Sequence, residues 1–229
     1  ILLACVLGAA FYFNRRSNLP PEQVRLPQIA GKKTIAVMFF ENQSNSMELE
    51  WLREGLADML IANLSRSEKL TVLSRIQLHS LLERQGLAKD KITLEQAKEI
   101  ARQSQAEYFM TGSFAKIGEK IRLDVSLYDS NLANLQATET LTVEKPEQIL
   151  TEIDLLSLKI SNRLNSPPTD KNNLASVMTD NLEAYRYYSL ALEKAQALQN
   201  KEAVELLEKA VALDPQFALA HARIGYVYA

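Results

Sequence analysis

Thr34-Ile35-Ala36-Val37-Met38-Phe39-Phe40 is apolar at every position but the first, and the fold is read outward from it. A run of this kind predicts a strand covered on both faces, because a half-exposed strand would alternate. Downstream, Leu49, Leu52, Leu56, Met59, Leu60 and Leu64 recur at helical spacing and predict an amphipathic helix over about 48–66. Residues 70–73 predict a short strand, and residues 76–85 a second helix ended by Gly86. Thr93 with Gln96 makes a capping box for a third helix through about Ser104.

The periodicity then switches to alternation. Residues 108–115 predict a strand, and Ile121, Leu123, Val125 and Leu127 fall on odd positions. Leu135, Ala137, Leu141 and Val143 do the same against Thr138, Thr140 and Thr142. These strands are expected to be antiparallel, joined at Gly118 and at a turn over 131–134. Pro146 opens a last helix that buries Ile149, Ile153, Leu156, Ile160 and Leu164. The order β-α-β-α-α-β-β-β-α over 34–165 is that of an α+β protein, a mixed-sheet α/β sandwich.

Residues 1–13 carry no charge. They are fewer than the ~20 that cross a bilayer, so 1–16 is expected to be the end of a single-pass transmembrane helix. Tyr12 and Phe13 would sit at the interface, with Arg15 and Arg16 outside it. A signal-peptide core and a lipidation box at Leu2-Leu3-Ala4-Cys5 are the competing readings. Residues 17–33, with Pro20, Pro21 and Pro27, form a spacer, and 166–179, with Pro167 and Pro168, a second linker. The soluble part is expected to be extracytoplasmic; the basic flank cannot fix the side without the opposite flank.

Residues 180–229 read as an all-α helical array. Tyr187, Leu190, Ala191, Ala203, Leu207, Ala210 and Pro215 punctuate two helices, and Ile224 and Gly225 follow Leu190 and Ala191 at an interval of 34 residues, with Tyr228 next. This spacing is similar to the tetratricopeptide repeat: one full repeat and a truncated second. Lys194 and Ala191 depart from the usual aromatic and glycine, and an ordinary helical hairpin is the plainer alternative. Tyr187 is expected in the core. Tyr185 and Tyr188 are either partner-binding anchors or contacts that dock the array onto the preceding domain.

The stretch Ile35-Ala36-Val37-Met38-Phe39-Phe40-Glu41-Asn42, then Trp51-Leu52-Arg53-Glu54-Gly55-Leu56-Ala57-Asp58-Met59-Leu60, resembles a bacterial module. Leu64-Ser65-Arg66, Leu73-Ser74-Arg75, Ala106-Glu107-Tyr108 and Thr111-Gly112-Ser113 continue the likeness. The module is similar to the TolB amino-terminal domain and to the curli-secretion and flagellar lipoprotein domains. The resemblance implies the carboxyl half of a membrane-anchored regulator, behind a serine/threonine kinase or winged-helix domain.

Chemical signatures are sparse. A net charge of −2, from 26 basic and 28 acidic residues, gives no basic face for nucleic acid. Cys5 is the single cysteine, which excludes an intrachain disulfide and a cysteine-rich zinc site. Gly31-Lys32-Lys33 precedes its strand, so it is not a phosphate loop. His79 and His221 read as surface or packing residues, and Asp124 and Asp129 as a solvated face. Asn42, Ser44 and Ser46 lie between a strand's carboxyl end and a helix, where a ligand loop or a set of caps belongs. No cofactor and no enzyme are expected. The function read is a membrane-tethered sensor or interaction region that binds protein or peptide partners through its repeats. The alternative is a cell-envelope assembly or secretion factor.

Overall fold

The computed structural model describes residues 24–44, 46–87, 91–169 and 178–228. The expected membrane segment, 1–16, and most of the second linker, 170–177, lie outside the described residues. Among the described residues no helix is long and apolar enough to cross a membrane.

The chain forms a mixed α/β domain followed by a helical arm. Six strands make one sheet: β1 (Lys33–Val37), β2 (Glu41–Asn42), β3 (Leu70–Val72), β4 (Tyr108–Ile117), β5 (Lys120–Asp129) and β6 (Leu135–Val143). The order is β3-β1-β4-β5-β6, with β2 paired to β4 off this path. β1 runs parallel to β3 and β4, whereas β4, β5 and β6 are antiparallel. Four helices belong to the domain among its described residues: α1 (Leu52–Leu64), α2 (Arg75–Arg84), α3 (Leu94–Ser104) and α4 (Ile149–Arg163). The arm consists of α5 (Leu182–Gln196), α6 (Asn200–Leu213) and α7 (Ala218–Tyr228).

The central strand behaves as its composition requires. Thr34 to Val37 are fully buried, and Met38, Phe39 and Phe40 continue the core past the strand's end. Thr34, the polar residue of the run, donates its hydroxyl to the Gln105 carbonyl at 3.1 Å and accepts from the Glu107 amide at 2.9 Å. A buried hydroxyl is tolerable only when paired in this way. The five residues expected inside α4's face, from Ile149 to Leu164, are all buried.

Four expectations need correction. The helix expected over 48–66 is shorter: a 3-10 turn at Met47–Leu49 precedes it, closed by Glu50 N to Met47 O, and α1 starts at Leu52. β2, only two residues long, has no periodicity to announce it. Leu135 is exposed, not buried. The β5–β6 ladder slips between Leu127 and Tyr128, so Leu135 pairs with Tyr128 while Ala137 pairs with Leu127. A one-residue slip moves a side chain to the opposite face. The end of the first linker is not a free spacer: Leu26 is buried and donates its amide to Ser104 O at 2.7 Å.

Gly112 explains how Phe40 fits. An added Cβ at Gly112 would lie 2.3 Å from the Phe40 ring. The ring therefore lies directly on the β4 backbone, a contact open only to glycine.

Candidate functional site

The expected loop site borders a cleft of ≈ 410 Å³ at the carboxyl end of β1. Odd residues of β4 and even residues of β5 floor it: Thr111 and Ser113 lie opposite Ser126 and Asp124. Its charges are largely matched: Lys91 pairs with Glu41 at 2.6 Å, Arg53 with Glu50 at 3.1 Å, and Asp124 with Arg122 at 2.9 Å. Asn42 is turned inward on its own loop. Its amide donates to Ser46 O at 3.0 Å and to Glu50 Oε2 at 2.9 Å, and its carbonyl accepts from Ser44 N and Oγ at 3.0 and 2.6 Å. Asn42 and Ser44 thus brace the turn, and Ser46, at the start of the 3-10 turn, makes no side-chain cap. The side-chain bonds of Asn42 and Ser44 stay within the loop and to Glu50, and none of them satisfies a helix N–H.

The second candidate place is the seam between the domain and the arm. Arg75 opens α2 behind Ser74, whose side chain caps the helix in a capping box with Gln77. Its guanidinium forms ion pairs with Glu54 and Asp58 of α1 and donates to Gln196 of α5 at 3.4 Å. His79 sits 2.9 Å from Glu54 and packs on Phe39 with ring centroids 4.8 Å apart. Glu54, Asp58 and His79 invite a metal reading, but Arg75 fills the space between the carboxylates. Among the described residues no group of three or more ligating side chains could hold a metal ion.

The seam perturbs its acids. Burial pushes the Asp58 carboxyl up to about 6, against the opposing pull of Arg75. Burial, with the charges of Glu54 and Asp58 adding to it, pushes Glu193 of α5 up to about 7. Glu54 resists: burial works against its ionisation, but the His79 hydrogen bond and the Arg75 charge together hold it below its ordinary range.

Tyr185, expected as a partner-binding candidate, is fully buried in this seam. Its hydroxyl donates to Gly55 O at 3.2 Å, and Trp51 lies 6.3 Å from its ring. A Cβ on Gly55 would meet Trp51 at 3.1 Å and Ser189 Oγ at 3.3 Å, so α1 and α5 approach closely at this glycine. Tyr188 is half-buried between the Tyr185 and Phe217 rings, at 5.9 and 5.0 Å. Tyr185 therefore reaches the domain, whereas both ring partners of Tyr188, Tyr185 and Phe217, belong to the arm.

The residues read as repeat-packing divide. Ala191, Ala203, Leu207 and Ala210 are buried between α5 and α6, with Leu190 half-buried beside them. Tyr187, expected in the core, is only half-buried, with Lys209 Nζ 5.6 Å from its ring centroid. Pro215 follows α6, and its carbonyl lies 2.9 Å from His221 Nε2. Ile224 is half-buried, and Gly225 is exposed, with no described atom within 4 Å of where a Cβ would stand. Tyr228 closes α7. The buried charge cluster of Glu54, Asp58 and Arg75 was not singled out from sequence. All three stand within the motifs that carry the resemblance, but on separate segments whose pairing the sequence does not mark.

Residues 19–124 match the family model of the curli production assembly/transport component CsgG. A protein named putative adenylate cyclase 3, from Rhizobium meliloti, is 23% identical over 208 residues, covering 88% of this chain and 33% of that protein. The chain thus spans about a third of the length of the curated relative it matches. Among solved structures, the LpoB carboxyl-terminal domain of Escherichia coli is similar at a TM-score of 0.40 and 22% identity, covering 51% of this chain and 86% of that one. Lipoprotein GNA1162 of Neisseria meningitidis is similar at a TM-score of 0.44 and 13% identity, covering 58% and 99%.

Proposed function

We propose that this chain is a non-catalytic docking module of a cell-envelope assembly or secretion factor. The observation that carries the reading is the family match over 19–124, which takes in β1, the cleft loop and the two domain helices of the seam, α1 and α2. The α/β domain is then the body of the module. The helical arm, read as tetratricopeptide-type packing, is its protein- or peptide-binding element, and 1–16 tethers it to a membrane on the extracytoplasmic side. The seam supports a docking role in its own right, because it holds the arm against the domain while Leu198 and Tyr226 remain exposed.

A second reading keeps the module but changes its host. The adenylate cyclase relative aligns with 88% of this chain, which necessarily takes in part of the arm as well as the domain. That favours an interaction or sensor region inside a larger membrane-tethered regulator.

In-cell photocrosslinking from Leu198 and Tyr226 of the full-length protein, combined with membrane fractionation, separates the two. The assembly reading expects sedimentation with the envelope and crosslinks to other envelope proteins. Crosslinks to a catalytic domain of the same polypeptide would replace it with the regulator reading. A protein that stays in the soluble fraction overturns both.

A further inference from the structure

We infer that the groove between α2 and α7 receives a partner's peptide segment in which a carboxylate is flanked by apolar side chains, with Arg223 as the residue that takes the carboxylate. The inference rests on the docking role proposed above and names the chemistry of the partner.

Two hollows meet in this groove, of ≈ 260 Å³ and ≈ 610 Å³, and Ile76, Gln196 and Arg223 line both. Their walls and rims are apolar. Leu192 and Leu219 line the smaller, whereas Ile76, Leu198 and Tyr226 stand 62%, 86% and 70% exposed at the larger. Exposed side chains of this size in one place mark an interaction surface.

Arg223 supplies the selectivity. Its guanidinium lies over the Tyr226 ring, 5.0 Å from the centroid, and its Nε is buried without a hydrogen-bond partner among the described residues. The other arginines nearby are already engaged: Arg75 by Glu54 and Asp58, and Arg186 by Glu183. Arg223 makes no such ion pair among the described residues. A planar fork of donors held on an aromatic face is pre-oriented for a carboxylate, and a partly desolvated cation gains most from one. Of the acids that line the hollows, Asp58 is committed to Arg75, and Glu83 lines the larger hollow alone. A segment with one acid between apolar side chains would fill both hollows and satisfy Arg223 in one pose.

The test uses the full-length chain and short fluorescein-labelled peptides carrying Asp or Glu between Leu and Phe, read by fluorescence polarisation. Matched peptides carry Asn or Gln, or Lys, in place of the acid. The acidic peptides are expected to bind about 10-fold or more tighter than their amides. Arg223→Gln should erase that preference without lowering the melting temperature, since it removes no ion pair, and Arg223→Glu should invert it toward the Lys peptides. Equal binding of acid and amide, no binding by any peptide, or a Lys preference in the unmodified chain overturns the inference. So does self-association abolished by Arg223→Gln, which would make the occupant a second copy. Peptide selectivity without envelope crosslinks would sink the assembly reading and leave this inference standing; the converse result would do the opposite.

Discussion

Gly112 and Phe40 show how much one missing atom decides. The residue is glycine because the Phe40 ring occupies the volume a Cβ would need, at 2.3 Å, and not because of a left-handed backbone. Gly118, in the β4–β5 turn, has φ of 64° and open space around it, so there the reason is conformational. The two glycines should therefore respond differently to alanine. Gly112→Ala forces the ring off the sheet, an overpacking change that costs about 1–3 kcal/mol or more. Adding Phe40→Leu should recover part of the loss. Gly118→Ala should cost about 1–2 kcal/mol through backbone strain, and Phe40→Leu should not rescue it. Urea denaturation of the two glycine variants, each with and without Phe40→Leu, measures this; rescue of both glycine changes, or of neither, would falsify the assignment.

At the level of elements, the seam gives α1, α2 and α5 a pH dependence with a definite sign. Glu193 ionises near 4.5 when unfolded and near 7 in the folded chain. The folded state therefore holds more protons between these values, and stability from this group is fully present below the lower one and lost as pH rises through the upper. Asp58 acts in the same direction between 3.8 and about 6. Glu54, held below its ordinary range, acts oppositely and loses its contribution on acidification. The net expectation is that Glu193→Gln raises the melting temperature near pH 7 and flattens the slope between about pH 4.5 and 7. Melting curves across that range decide it; an unchanged slope would mean that Glu193 is not buried in solution. The elements themselves were mostly legible, because Leu56, Leu60 and Leu64, or Ile149, Ile153 and Ile160, write a helix face into a single sequence. The ladder slip beside Leu127 was not, since nothing local marks which residue of a hairpin will be skipped. Nor was the seam. Arg75, Glu54 and Asp58 lie on two helices and look solvent-facing until a third helix, α5, covers them.

For the whole molecule, the question is whether arm and domain are one cooperative unit. The arm is anchored through its first helix: α5 turns its largest buried side chain, Tyr185, into the domain and not into α6. That contact should therefore hold the arm in place. Tyr185→Phe removes one hydroxyl donated to Gly55 O at 3.2 Å, a change of about 0.5–1.5 kcal/mol, and should leave a single melting transition. Tyr185→Ala empties the seam, at about 3–5 kcal/mol for a buried aromatic, and uncovers Trp51 and the Arg75 cluster. Its expected result is two transitions, with early amide exchange across α5 to α7 and later exchange in β1, β4 and β5. Calorimetry with hydrogen exchange on the two variants reads this directly. If Tyr185→Ala instead lowers one transition and all elements exchange together, the arm and the sheet share a single core, and the seam is not a boundary at all.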